Sequence, residues 1–382
     1  NFNLKNIDDI FKIIIQCATF EFLYKPNVSR KIIIKEYLNV SNFFLNDSQI
    51  KYLNAILDKL SKNLLMNEIE IINNLRKIVK NTSSLNLQDD VFFDKKNSLI
   101  VSIDTYNENI HYINFNFPNL IVKKVIRSSI SDLISKGVDP RYLLIAFSGS
   151  NKHFNKKNIK LIINSIKQEQ KKYNFSLAGG DTTKSNKSSF TVCSFGFSKR
   201  IIKRNNCSFN DDIYLTGNIG DSSVGLSLLE NKFKTSNRIK KYFINEYYKP
   251  NIPFGFHREL FKFASSSMDI SDGLLIDLKK LVDVNKLGFL INFDCLPKSK
   301  YFNKLIDQKK ITVNNHLFNG DDYQILFTAK NKYRNTIIKS SIRCRQKITR
   351  IGNITNNNAN YINFNDKLKK IKVYQGYMHN FN

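Results

Sequence analysis

The stretch MDISDGLLIDL, residues 268–278, sets Asp269, Asp272 and Asp277 among Met, Ile and Leu. Its apolar residues read as core, and a carboxylate taken out of water is costly unless it is paired or holds a cation. The run therefore asks for basic partners or for a metal ion. Read locally, DISDG is also an N-cap ahead of a helix starting at 274. The remaining acids of the chain weigh between these readings.

Several acids border strands or turns: Asp89 and Asp90 in QDD, Asp104 in SIDT, Asp132 in SISDL, Asp181 in AGGDTT, Asp321 and Asp322 in NGDDYQ. Small or hydroxylated neighbours let a phosphate or a hydrated ion approach the backbone. Magnesium takes oxygen ligands, keeps several waters and is commonly held by a few carboxylates together with substrate phosphates. Any one of these acids alone reads as a cap or turn residue, and Gly179-Gly180 alone as a tight turn. Their order and spacing as a set carry the metal reading. Competing chemistries are missing from the sequence: there is no GxxxxGK[ST] loop, no GxGxxG after a strand, no protein-kinase motif, no HExxH and no GxSxG elbow.

The chain has 382 residues, enough for two or three domains. Lys and Arg number 60 against 32 Asp and Glu, a net charge of +28. Such a charge fits a polyanion partner, but the lysines are scattered in pairs such as Lys123-Lys124 and Lys171-Lys172. With Asn and Ile abundant throughout, base composition of the gene accounts for them first. The five cysteines form no CxxC, which fits reduced thiols and a cytoplasmic setting. No apolar run has the length of a membrane span. The first residues lack a signal-peptide pattern, and the missing initial Met fits a fragment.

Residues 7–22 carry Ile7, Ile10, Phe11, Ile14 and Ala18 at helical spacing, with Asn6 as a cap. SRKIIIKEYLNVSNFF and SQIKYLNAILDKLSKNLL each read as a helix opened by Ser, the latter with Tyr52, Leu53, Ile56, Leu57, Leu60 and Leu64 on one face. Strand-like runs follow at 98–104, 142–147, 189–197, 212–217, 288–293 and 324–329. Helical stretches fall near 121–136, 156–173, 221–231, 257–266 and 274–285. The class expected is α+β, with a short all-α segment in front of two α/β subdomains. The polar run KRNNCSFND (203–211) marks a boundary, and the Asn-rich tail NITNNNANYINFND reads as loops.

From Met66 onward the chain resembles the thiamine-monophosphate kinase family of the aminoimidazole-ribonucleotide synthetase superfamily. The resemblance rests on MNEIEIINNL, the Asp89-Asp90 pair, SIDTYNENIHY, SISDLISKGVDP, LAGGDTT, DDIYLTGNIGDSSVGL, MDISDGLLIDL, NGDDYQILFT, RIGNIT and GYMHNF, in that order. It implies two subdomains, 66–202 binding ATP and Mg²⁺ and 203–382 of α/β type, with ATP as co-substrate and thiamine monophosphate as acceptor. By motif position, Asp90, Ser102, Asp104, Asp132, Asp181, Asp269 and Asp272 would ligate Mg²⁺. Gly180, Asp181, Arg204 and Ser271 would contact ATP; His111 and Asp321 would lie on the substrate, with Tyr377 or Phe381 stacking on it. A homodimer through the first subdomain is implied too. Gln88, Ile103, Ser129 and Asp321 depart from the family pattern, and Ile103 is expected to remove a hydroxyl ligand.

Residues 1–65 resemble the C-terminal half of the NusB antitermination-factor family, on CATFEFLYKPNVSRKIIIKEYLNVSNFF and KYLNAILDKLSK. That likeness implies an RNA-binding adapter as the alternative function. A third reading, another ATP-using synthetase such as a selenophosphate synthetase, lacks the reactive Cys segment ahead of Asp89-Asp90.

Overall fold

The computed structural model describes residues 8–25, 28–63, 68–371 and 373. It separates into two units, one up to Val79 and one from Lys80 onward. The first contains α1 (Asp9–Tyr24), α2 (Arg30–Ser41), α3 (Asp47–Asn63) and α4 (Glu68–Arg76). Phe11, Ile14, Ala18 and Phe22 recur at helical spacing on α1 and meet Ile33, Leu53, Ile56 and Leu57 in one core. Asp8 caps α1, its side chain accepting from the Ile10 amide at 2.9 Å; Asn6 lies outside the described residues. At the start of α3 the capping acceptor is Asn46, which takes the Gln49 amide and the Ser48 hydroxyl. In both places an acid or amide two residues from the expected cap has the better acceptor.

The second unit runs β1 (Phe92–Asp94), β2 (Leu99–Asn107), α5 (Pro118–Ser135), β3 (Pro140–Gly149), α6 (Lys156–Tyr173), β4 (Ser176–Lys184), β5 (Ser189–Phe197), β6 (Asp212–Thr216), α7 (Asp221–Leu229), α8 (Asn237–Tyr248), β7 (Ala264–Asp269), α9 (Leu274–Val282), β8 (Gly288–Asn292), α10 (Lys300–Asp307), β9 (Ile325–Ala329), α11 (Arg334–Cys344), β10 (Ile348–Thr355), β11 (Asn360–Phe364) and β12 (Lys367–Ile371). A five-stranded sheet has the order β1-β2-β5-β3-β4, and a seven-stranded sheet the order β12-β11-β8-β10-β6-β9-β7. The polar run 203–211 lies between them. The mixed α/β class with a helical segment in front is as the sequence indicated.

Helix α5 joins the two halves. Ile121, Val125, Ile126 and Ile130 pack with Leu143, Phe190 and Val192 of the first sheet, and with Tyr214 and Phe327 of the second. The other side of the second sheet packs Ile213, Leu215, Met268, Phe289 and Leu326 against Leu274, Leu278 and Phe302. Every residue of β6 and β9 is buried, including the polar Asp212, which pairs with Arg334 and Arg350, and Thr216, whose hydroxyl donates to Gln324 at 2.9 Å. Arg127, buried on α5, forms a two-pronged pair with Glu169 of α6 at 2.8 and 3.0 Å and donates to the carbonyls of Lys249 and Pro250.

Three local expectations are corrected. Residues 257–266 are a 3-10 turn ending at Lys262 and the start of β7, because residues 266–269 are all buried and pair with β9. LAGGDTT is strand β4, not a turn; a Cβ on Gly180 would collide with the Ile145 carbonyl of β3, so the glycine permits the strand pairing. The Asn-rich tail holds the end of β10 and all of β11, joined by loop residues 356–359, and Ile354 reaches the second core.

Replacing Glu169 with Leu should destabilise the protein by about 3 kcal/mol, measured by chemical denaturation, since Arg127 would be left buried with only carbonyl acceptors.

Candidate active site

Because α5 is surrounded, its polar residues must find partners inside the protein. They do so in three places. Lys136 is fully buried; its Nζ lies 2.7 Å from Asp89 and 2.7 Å from Asp90 and donates to the Ser267 carbonyl. Burial alone would lower its pKa, but the two carboxylates hold it above the usual lysine value. Ser131 and Asp132 turn toward the strand ends: the Ser131 hydroxyl donates to Asp269, and the Ser102 hydroxyl donates to Asp132. Lys124, buried, binds Asp321 and donates to the Tyr247 carbonyl, its Nζ 3.7 Å from the Tyr247 ring centroid.

Asp90, Asp104, Asp132 and Asp269 thus come from a loop, β2, α5 and β7 into one another's field. Burial would raise Asp90, but Lys136 and Arg204, the latter at 2.9 Å, hold it well below the usual carboxylate range. Among the described residues the other three have no ion pair, although Lys136 offsets part of the rise at Asp269. Burial pushes Asp104 up to about 7 against the hydroxyls of Tyr106 and Ser129, with Asp90 adding to it. Burial, then Asp104, Asp269 and Asp90, raises Asp132 far above its ordinary value. Burial and Asp90 take Asp269 to about 7. Carboxyls pushed up together by burial and by each other mark a site short of positive charge.

The acids of MDISDGLLIDL divide by role. Met268, Ile270, Leu274 and Leu278 are core, and Asp269 closes β7. Asp277 is buried and accepts the amides of Asp272 and Gly273 at 3.1 and 3.0 Å; it shapes the turn. Asp272 and Asp277 share Lys280.

Other expected site residues are placed as follows. The Arg204 amide donates to Asp89 at 2.9 Å, and Ser271 gives its carbonyl to the Asp321 amide. Nδ1 of His111 accepts the Asn107 amide at 2.9 Å, which puts the proton of the neutral ring on Nε2. Gly180 and Asp181 are exposed on edge strand β4, separated from Asp104 of β2 by β3 and β5. They border a mostly apolar recess of about 260 Å³ that Val122, Ile145 and Phe190 also line. Tyr377 and Phe381 lie outside the described residues. Ile103 points to the sheet face opposite Ser102 and Asp104, 66% exposed, so its side chain takes nothing from the cluster. Sequence reasoning missed Lys124, Lys136 and Ser131; the signal was a helix whose polar positions leave no solvent face.

Among the described residues, no three Asp, Glu, His or Cys side chains already converge as a ready-made metal group. The donor set nevertheless suits a hard cation that brings its own waters and phosphate ligands. It is all oxygen, it lacks compensating charge, and the buried Ser267 hydroxyl beside Asp269 has no hydrogen-bond partner.

A second cavity, of about 440 Å³, is lined in part by Arg127, Asp221, Ser222, Tyr242, Glu246 and Asp322. Asp221 accepts from the hydroxyls of Tyr242 and Ser299, both at 2.8 Å, and burial pushes it up to about 6. The folded protein then holds this proton more tightly than the unfolded chain, whose carboxyls titrate near pH ~4. The stability Asp221 contributes is complete below about pH 4 and is lost as pH rises through about 6. Asp221→Asn should flatten that fall when melting temperature is followed from pH 4 to 7.

Known proteins resemble this chain in sequence and in fold. A family model described as AIR synthase related protein, N-terminal domain, matches residues 88–198, and the NusB family model matches residues 1–62. The thiamine-monophosphate kinase of Buchnera aphidicola subsp. Schizaphis graminum is 33% identical over 275 residues, 68% of this chain and 80% of that protein. The kinase of the same name from Nitrosopumilus maritimus is 28% identical over 76% of this chain and 91% of its own length. The solved complex of AaThiL with AMPPCP and TMP aligns with a TM-score of 0.73 at 24% identity, over 82% of this chain and 97% of the other.

Proposed function

The chain belongs to the thiamine-monophosphate kinase family, and from that premise we propose that it transfers the γ-phosphoryl group of ATP to the phosphate of thiamine monophosphate, giving thiamine diphosphate and ADP. The observation that carries this reading is the group of four carboxylates of which, among the described residues, only Asp90 forms ion pairs. The acceptor is a phosphate, already largely ionised near neutral pH. The reaction needs no strong base; it needs two anions held together and aligned.

Asp90, Ser102, Asp104, Asp132, Asp269 and Asp272 are the residues that would hold Mg²⁺, with Asp181 added from β4. Bound there, the ions supply the positive charge that two phosphates require. The protein's own groups do the rest. Ser102 and Ser131 fix the rotamers of Asp132 and Asp269. Arg204 spends one nitrogen on Asp90 and keeps Nε without a hydrogen-bond partner, a donor suited to an ATP phosphate. Gly180 and Asp181 stand at the mouth of the apolar recess, which suits a nucleotide base, and Ser271 lies beside Asp272. Lys124 locks Asp321, and His111 offers an Nε2 proton to an acceptor oxygen. Tyr377 and Phe381 remain assigned to the substrate rings by motif position alone.

A homodimer through the first sheet is part of this reading. Tyr142, Leu144, Ile103 and Phe197 are exposed on the face of that sheet turned away from α5, and Ile103, Cys193 and Leu144 lie in register across three strands. A second copy of that face would cover it. The match of residues 1–62 to the NusB family supports a second activity, RNA binding by the helical unit. Such binding must fall steeply with salt and disappear when residues 1–65 are removed.

The decisive assay mixes the purified chain with MgATP and thiamine monophosphate and follows thiamine diphosphate by chromatography. Product is expected from the wild type, and Asp272→Asn should lower the rate by roughly a hundredfold or more while the protein stays folded. A folded, ATP-binding protein that makes no thiamine diphosphate overturns the acceptor assignment. Ile103→Glu should shift the mass measured by light scattering from two chains to one.

A further inference from the structure

Buried hydroxyls in folded proteins are hydrogen-bonded with few exceptions, and each exception has a cause. The serines around the carboxylate group follow the rule. Ser102 donates to Asp132, and Ser131 to Asp269. Ser129 meets Ser194 at 3.0 Å. Ser128 and Ser135 donate to the carbonyls of Lys124 and Asp132 at 2.8 and 2.9 Å. On β7 itself, Ser266 meets the Thr328 hydroxyl at 2.8 Å. Ser267 is different: it is fully buried, and among the described residues its hydroxyl has no hydrogen-bond partner.

Strand alternation fixes the side on which that hydroxyl lies. The pairing of β7 with β9 is regular from Ser266 to Asp269. Met268 belongs to the core on one side of the sheet, with its cross-strand partner Leu326. Ser267 and Asp269 therefore share the other side, where Phe327, opposite Ser267, joins the core around α5. On that side Asp269 accepts from Ser131 of α5. The Ser267 carbonyl accepts from Lys136 Nζ at 2.9 Å, and the same ammonium lies 2.7 Å from both Asp89 and Asp90. Its three protons thus have three acceptors, and none is left for the Ser267 hydroxyl. An alanine at this position would avoid the cost of an unpaired hydroxyl.

We propose that Ser267 is a positioning residue of the cation site, its hydroxyl oxygen accepting a hydrogen bond from a water carried by the Mg²⁺ ion held at Asp90 and Asp269. The inference rests on the Mg²⁺ reading above and adds a residue to it. Magnesium keeps several of its waters when protein carboxylates bind it, and those waters are strong donors. A wholly enclosed hydroxyl on the same strand face as Asp269 suits such a water. It fixes the ion's shell without touching ATP or the acceptor. The hydroxyl lowers stability without the ion and adds affinity with it.

The test titrates free Mg²⁺ into the full-length wild type, Ser267→Ala and Ser266→Ala, with a non-hydrolysable ATP analogue present throughout, and follows melting temperature. Ser267→Ala should need about tenfold more Mg²⁺ for half of the rise. In chelator it should melt at or above the wild type, because the unpaired hydroxyl is gone. Ser266→Ala removes a paired hydroxyl from the other face of the strand. It should melt lower in chelator and keep the wild-type Mg²⁺ requirement. A Ser267→Ala protein that keeps that requirement, or that melts several degrees below the wild type in chelator, overturns the inference and leaves the phosphotransfer reading standing. A wild type whose melting does not respond to Mg²⁺ overturns the metal reading and the role of Ser267 with it.

Discussion

Asp90, Asp104, Asp132 and Asp269 stand close enough for Asp104, Asp132 and Asp269 to be raised by their acidic neighbours, and among the described residues only Asp90 forms ion pairs. Bringing four carboxylates together costs free energy that a stable fold has no reason to spend. The arrangement is held because Asp104, Asp132 and Asp269 sit on three different rigid elements and Lys136 ties the loop of Asp90 to them. The same helix that glues the two sheets also delivers Asp132, Ser131 and Lys136. The core and the site cannot be separated: a change that loosens α5 moves the carboxylates.

This explains why the buried basic residues of α5 matter as much as the acids. Lys136 reaches Asp89, Asp90 and the Ser267 carbonyl, and so ties the loop before β1 to strand β7. Lys124 does the same between α5 and Asp321. Lys136 and Arg204 together offset Asp89 and Asp90, and Lys124 offsets Asp321. The outcome is a graded field, balanced near Asp90 and Arg204 and short of positive charge near Asp132 and Asp269, as two phosphates with bound cations would need.

Much of this was legible in the sequence. The strands 189–197 and 212–216, and helix α6 at 156–173, follow hydrophobic periodicity closely, and the acids stood out against a basic background. Other parts were hidden for physical reasons. Strand β4 reads as a turn because Gly179-Gly180 usually marks one; only the close approach of the β3 carbonyl shows why glycine is there. Ile103 looked like a lost ligand because spacing along the chain says nothing of sides. On a pleated strand it points away from Ser102 and Asp104. Lys124, Lys136 and Ser131 were invisible since a polar residue on a helix is ordinarily solvated, and burial on all sides is a tertiary fact.

The central claim is that the carboxylate group is built for cations and strains the fold without them. The most direct measurement is the melting temperature of the wild type and of Asp269→Asn, each in chelator and in excess Mg²⁺ with a non-hydrolysable ATP analogue. The account predicts that Asp269→Asn melts no lower than the wild type in chelator and loses most of the rise that Mg²⁺ and nucleotide give the wild type. A variant that melts several degrees lower in chelator and keeps the full rise would show Asp269 to be a structural acid, and the account would be wrong.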